Sequence, residues 1–305
     1  MPLIEASALR RGALLIAVSV IAGCSQTPNR APIEDRSPTP RATVAAASPA
    51  QSPASAAEPA KPPVVDPNLG KPGFYTVKPG DTLIRIGLDS ADVRARMVGR
   101  LRAEGGAHPL VLAAFAAVPR HLFVDPALAT QAYEDTSLPI GHGQTISKPS
   151  VVARMLELLF GAERARGAGD LGAVLEIGTG CGYQAALLSQ LGKRVLSVER
   201  LKPLHDKARE LLAPMRSSRL RLVFDDGMRG HPPGAPYDSI IAAAGGDEIP
   251  QAWLDQLAVG GRLVSPVQRP GAGQVLVVVD RLADRYTRSV HEAVKFVPLK
   301  SGLSR

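Results

Sequence analysis

The sequence predicts an α/β protein, a doubly wound and mostly parallel sheet preceded by N-terminal helices, and three observations carry that reading. From Val174 onward, short apolar runs with β-branched members alternate with helical patterns. A glycine cluster, Gly178-Thr179-Gly180-Cys181-Gly182, separates the first such run from the first helix. Upstream, Val93, Met97 and Leu101 have helical spacing, as do the residues from Leu110 to Val118, and Pro119 ends the pattern. Strands separated by helices run parallel and are joined by right-handed crossovers.

The bulk properties set limits. Of 27 prolines in 305 residues, 11 fall between Cys24 and Pro72, so the foldable part is shorter than the chain and one full domain is expected. An apolar fraction of 45% with only 4% aromatics implies an Ala/Val/Leu core, and the residues after Ser90 suffice to bury one. The net charge of +8 comes with scattered arginines (Arg94, Arg96, Arg100, Arg102, Arg216, Arg219, Arg221) and no interleaved aromatics. That pattern is a solvated surface, not a nucleic-acid footprint, and no nucleic-acid partner is expected. Cys24 and Cys181 have neither zinc-ligand spacing nor a histidine cluster beside them, so no metal and no disulfide framework are implied.

Arg10-Arg11 followed by the apolar run Ala13 to Ala22 reads as an export signal, too short to remain as a spanning helix. Its end, Ile21-Ala22-Gly23-Cys24, resembles a bacterial lipobox. The resemblance implies a signal peptide over 1–23 and lipid attachment at Cys24, and more than one acyl chain anchors a domain stably. Ser25 resembles lipoproteins destined for the outer membrane. Residues 24–72, rich in Pro, Ala, Ser and Thr, are a tether. Within 73–90, Phe74 to Gly87 resembles the first half of a LysM repeat; without the second half, weak peptidoglycan contact is the most it implies. A cell-envelope lipoprotein facing the periplasm is therefore expected, with translation from Met97 and a cytoplasmic product as the alternative. The main domain is expected over 91–305, as a monomer.

The glycine cluster belongs to a βαβ unit. Val174-Leu175-Glu176-Ile177 is the strand, Ala185, Leu187, Leu188 and Leu191 mark the helix, and a second strand ends at Glu199. Glycines at a strand-to-helix turn let backbone N–H groups approach a ligand, and an acid ending the next strand can hold two ribose hydroxyls. A nucleoside ligand follows. The spacing is G-x-G-x-G with Glu176 inside the strand, not the G-x-G-x-x-G of dinucleotide sites, and it resembles motif I of class I S-adenosylmethionine-dependent methyltransferases. The alternation continues through helix Leu201–Leu212, strand Leu220–Phe224, Asp225-Asp226-Gly227, strand Tyr237–Ala243, helix Pro250–Leu257 and strands Arg262–Val267 and Gln274–Val279.

Two upstream segments sharpen the resemblance to one family. Pro119-Arg120-His121-Leu122-Phe123-Val124 and the loop Leu138-Pro139-Ile140-Gly141-His142-Gly143-Gln144-Thr145-Ile146-Ser147-Lys148-Pro149 resemble protein-L-isoaspartate O-methyltransferases. Pro236-Tyr237-Asp238, Ile249-Pro250, Gly260 to Val264 and Phe296 to Leu299 agree, and coverage runs from about Met97 to Leu303. The resemblance implies a Rossmann-like class I methyltransferase fold and S-adenosyl-L-methionine as cofactor. It implies methylation of the free α-carboxylate of L-isoaspartyl residues in damaged proteins and peptides, which initiates repair through a succinimide.

By the same resemblance Ser147 is the active-site residue, in a substrate loop with Gln144, Thr145 and Ile146. Gly178, Gly180 and Gly182 would let backbone approach the methionine portion, Glu199 would bind the ribose and Asp226 the adenine amino group, with Glu176, Thr179, Cys181 and Gly227 also on the cofactor side. A carboxylate acceptor is already ionised near neutral pH, so no general base is required, and His142 is given no catalytic role. Ser147 can orient the acceptor through one hydrogen bond or cap the helix that follows, and both roles stay open. Two departures stand out: Cys181, where the family commonly has serine, and Ala244-Gly245-Gly246, where it often shows Ala/Pro. A nucleic-acid N-methyltransferase would need Asn/Asp-Pro-Pro-Tyr/Phe after the fourth strand, and Ala242 to Pro250 lacks it. An idle envelope-binding protein is disfavoured by the presence of Ser147, Glu199 and Asp226 together.

Overall fold

A computed structural model describes residues 91–105 and 108–304. The expected signal peptide, tether and LysM-like segment, and with them Cys24, lie outside the described residues.

The chain enters through helices α1 (Ala91–Gly105) and α2 (Pro109–Ala117), then a small antiparallel hairpin, β1 (Leu138–Gly141) and β2 (Gln144–Ile146). Helices α3 (Pro149–Phe160) and α4 (Glu163–Ala168) lead to the first strand of the main sheet, β3 (Ala173–Ile177). There follow α5 (Tyr183–Leu191), β4 (Arg194–Glu199), α6 (Lys202–Leu212), β5 (Leu220–Phe224), β6 (Tyr237–Ala242), α7 (Gln251–Gln256), β7 (Leu257–Arg269), β8 (Gly273–Arg281) and β9 (Tyr286–Val294). The seven strands lie in the order β5-β4-β3-β6-β7-β8-β9.

From β5 to β7 the neighbours are parallel, and β8 and β9 are antiparallel additions. The expected mostly parallel, doubly wound sheet is present. Because β3 pairs with both β4 and β6, the winding reverses at β3, and a crevice opens beyond the strands' carboxyl ends. The pleat of β3 and β4 feeds two cores. Val174 and Val195 join one with Phe115, Leu156, Leu187 and Leu188; Leu175, Ile177, Leu196 and Val198 join the other with Trp253.

Several elements differ from expectation. The helix expected to reach Leu257 stops at Gln256, and β7 starts earlier and runs later than Arg262–Val267. Strand β9 escapes the sequence pattern because it is a largely exposed edge strand of mixed polarity and presents no apolar run. No described helix is long and apolar enough to cross a membrane.

Candidate active site

A cavity of about 410 Å³ sits at the switch point. Its floor is the glycine turn after β3. Gly178 and Gly180 have φ of 90° and 56°, a backbone that L side chains rarely adopt, and Gly180 N–H donates to Oε2 of Glu199 at 2.9 Å. The other oxygen of Glu199, Oε1, accepts from Leu201 N–H at 2.9 Å. Both bonds pin the carboxylate at the end of β4 on the cavity wall, and each oxygen keeps capacity for a further donor.

Not every residue of the motif faces the cavity. Thr179, Gly180 and Cys181 line it, whereas Gly182 does not. A Cβ at Gly182 would lie 2.7 Å from Leu212 Cδ1, so this glycine lets α5 pack against α6. Glu176 also lies off the wall, fully buried beneath the turn. Its Oε2 accepts from Ser197 Oγ at 2.5 Å, and Ser197 Oγ pairs with Thr179 Oγ1 at 2.6 Å. Burial pushes the Glu176 carboxyl up to about 8, opposed by its hydrogen bonds and aided by the charge of Glu199. Gln184, a neighbouring wall residue, is the second side chain that hydrogen-bonds this buried carboxyl.

Asp226, expected at the adenine, has partners of its own: its Oδ1 accepts from Met228 N–H at 2.9 Å and its Oδ2 from Gly302 N–H at 2.7 Å, and each oxygen keeps capacity for a further donor. Gly227 beside it is on the wall, where a Cβ would meet Ile177 Cγ2 at 2.7 Å. The carbonyl of Gly227 is held by Trp253 Nε1 at 2.8 Å.

The terminal segment, in which Phe296 to Leu299 carries a family resemblance but no expected role, reaches the cavity. Val297, Pro298, Leu299, Lys300 and Ser304 close one side of the cavity. Gly245 N–H donates to Val297 O at 2.9 Å and Leu299 N–H to Gly245 O at 2.8 Å, so the unusual Ala244-Gly245-Gly246 stretch is the strap's docking point. Further along, Ser304 N–H donates to Arg200 O at 2.9 Å.

The loop expected at the substrate forms the β1–β2 hairpin. Gly141, His142 and Gly143 turn it with φ of 95°, 54° and 68°, and His142, Gln144, Thr145, Ile146 and Ser147 all line the cavity. Ser147 also borders a second groove, beside Lys148, Ser150, Arg154 and Glu292. The capping role left open for Ser147 is not realised: the N-cap of α3 is Lys148, without a side-chain cap bond. Asp135 does that work, accepting from Ser150 N–H and Ser150 Oγ, each at 2.8 Å. Ser147 is fixed instead through its carbonyl, which accepts from Arg120 Nη2 at 2.7 Å.

The residues fit a nucleoside carrying positive charge. A wall carboxylate with spare lone pairs and a turn that admits close approach suit S-adenosylmethionine, whose ammonium and sulfonium are cationic. A seven-stranded sheet reversing at β3, with an antiparallel end and this site at its crevice, is the architecture of the class I methyltransferases.

Residues 92–304 match the family model described as protein-L-isoaspartate(D-aspartate) O-methyltransferase (PCMT), and the chain belongs to that family. A protein-L-isoaspartate O-methyltransferase of Methylibium petroleiphilum is 64% identical over 225 residues, covering 73% of this chain and 82% of the relative. One from Leptothrix cholodnii is 66% identical over 220 residues, covering 72% and 77%. A solved protein-L-isoaspartate O-methyltransferase superposes with a TM-score of 0.60 at 28% identity, covering 69% of this chain and 67% of that one. A beta-aspartate methyltransferase (PCMT) from Plasmodium falciparum, in complex with S-adenosyl-L-homocysteine, shares the fold with a TM-score of 0.58 at 21% identity, covering 68% and 98%. The chain is thus an S-adenosylmethionine-dependent O-methyltransferase acting on isoaspartyl residues.

Proposed function

We propose that the chain methylates the free α-carboxylate of L-isoaspartyl residues with Ser147 orienting the acceptor, and with Gly178, Thr179, Gly180, Cys181, Glu199 and Gly227 forming the cofactor side. The observation that supports this is one shared cavity: Ser147 and the hairpin border the same space as the glycine turn and Glu199. S-adenosylmethionine, when bound, supplies an electrophilic methyl group on a sulfonium. The protein's task is then geometric. Glu199 accepts from the ribose hydroxyls, the turn brings backbone close to the methionine portion, and Ser147 donates to a carboxylate that needs no deprotonation. The terminal strap and hairpin restrict water at the reacting end. The following backbone nitrogen attacks the ester carbonyl carbon, forming a C–N bond and expelling the methoxy group as methanol, and the succinimide so closed can be reopened by water to a normal linkage.

Paired peptides differing only in an isoaspartyl or aspartyl link test this. Methyl incorporation is expected in the first alone, because a displaced acceptor of about 1 Å can cost on the order of 10²-fold. Equal labelling of both, or labelling of RNA, overturns it.

The site of action proposed is the cell envelope, through lipid on Cys24, with the tether and LysM-like segment reaching toward peptidoglycan. This rests on the n-region, apolar run and lipobox resemblance. Membrane fractionation with lipid labelling of the wild type and Cys24→Ser checks it; an unlabelled wild-type product initiated at Met97 refutes it.

A further inference from the structure

Arg120 is the most unusual charged residue of the described chain. It is wholly buried in the 3₁₀ turn Arg120–Phe123. Its guanidinium is spread over backbone carbonyls: Nε donates to Ala132 O at 2.8 Å, and Nη2 to Ser147 O at 2.7 Å and, weakly, Thr136 O at 3.5 Å. The guanidinium carbon lies 4.8 Å from the ring centroid of Tyr183, which lines the cavity with Ser147. The buried hydroxyl of Tyr183 interacts with the guanidinium, a contact with a neutral group that leaves the charge of Arg120 unbalanced. No described carboxylate forms an ion pair with it. Asp135, whose charge reaches it, is occupied by Ser150 and Lys148. The other groups around it, Tyr183 and Cys181, are acids that burial keeps protonated.

An arginine keeps its charge in proteins, and an uncompensated buried charge is costly. Simple support of a loop does not require that cost, since carbonyls are equally served by neutral donors. What the charge adds is a positive field directly behind Ser147, screened little by water. We propose that Arg120 is a positioning residue with two parts to its action. It clamps the Ser147 segment through the carbonyl, and its unpaired charge makes this end of the cavity prefer an ionised acceptor carboxylate to a neutral group. The substrate's carboxylate is the missing counter-charge. Once that carboxylate becomes a methyl ester, the attraction is gone and product leaves more readily. The inference rests on the proposed placement of the acceptor at Ser147.

The test uses the full chain, an isoaspartyl peptide and its isoasparaginyl analogue, in which a carboxamide replaces the α-carboxylate. Wild type is expected to bind the carboxylate peptide roughly 10- to 100-fold more tightly than the amide, the scale of one poorly screened charge. In Arg120→Gln that ratio is expected to fall to within about twofold, while S-adenosylhomocysteine affinity changes less than about threefold, a separation that general loosening does not give. Arg120→Lys should keep most of the ratio and lose about tenfold in kcat, having charge without the planar clamp. A folded Arg120→Gln that keeps the wild-type ratio overturns the inference. Should that variant fail to fold, a wild-type ratio near one, or an Arg120→Lys with unchanged kcat, overturns it. A wild type that does not methylate isoaspartyl peptide at all refutes the proposed function instead.

Discussion

Gly180 and Glu199 are joined by a 2.9 Å hydrogen bond from the turn after β3 to the acid that ends β4. With the roles proposed above, the bond would couple the two halves of the nucleoside site: the carboxylate assigned to the ribose also fixes the backbone assigned to the methionine portion. Glu199→Ala therefore removes a ligand contact and slackens the turn. Calorimetry is expected to show S-adenosylhomocysteine binding weakened by about 1.5–3 kcal/mol, the scale of hydrogen bonds to a charged group. Unchanged affinity removes Glu199 from the site.

Beneath the turn, Glu176 makes stability depend on pH. Its carboxyl is raised from an ordinary 4.5 to about 8 by burial, so the folded state holds a proton that the unfolded state has released across that window. Stability is then full below about pH 4.5, declines as pH rises, and levels off above the folded value. Glu176→Gln is neutral at every pH and should flatten the dependence, gaining on the order of a few kcal/mol over wild type above pH 8. Urea denaturation across this range is the measurement, and parallel wild-type and variant curves would dismiss the buried acid as the cause.

The tie between Asp226 and Gly302 leads to a kinetic expectation. Asp226→Ala loses both the 2.7 Å bond to the terminal strap and the 2.9 Å bond to Met228. With the strap loosened, S-adenosylhomocysteine should leave several-fold faster, and trypsin should cut at Lys300 more readily, for a loss of about 1–3 kcal/mol of local stability. Stopped-flow release and timed proteolysis read the two effects; an unchanged release rate shows that the strap does not hold the ligand.

How far the sequence carried depended on what each residue's neighbours were. The parallel core was legible because β3 and β4 are buried on both faces and read as apolar runs, and Glu199 was legible because it ends such a run. Strand β9 was not, since an exposed edge strand has no such signature. Arg120 gave a motif letter but no role, because its partners are carbonyls of Ala132, Thr136 and Ser147, and backbone groups leave no trace in sequence. Gly182 and Asp226 are expected at the ligand from the motif, and the structure adds the contact of the first with Leu212 and of the second with Gly302, residues far along the chain that spacing cannot reveal.

Ser147 offers the sharpest separation between binding and chemistry. It stands where the hairpin enters α3, facing the cofactor cavity on one side and the outer groove on the other, so a peptide in that groove can present a side branch to the methyl group. Its hydroxyl does not cap α3, which Asp135 serves, so removing it should leave the helix and the thermal transition nearly unchanged. Its carbonyl, held by Arg120, survives substitution, so the loop should stay in place. Ser147→Ala is therefore expected to bind S-adenosylhomocysteine like wild type. Its kcat on isoaspartyl peptide should drop by about 10- to 100-fold, since one orienting hydrogen bond of about 1.5–3 kcal/mol to a charged acceptor is lost in a reaction governed by alignment. Thr at this position keeps a hydroxyl and should restore part of the rate. Steady-state kinetics with calorimetry on the same samples decide it, and equal loss of cofactor affinity and turnover would move Ser147 from the acceptor to the fold.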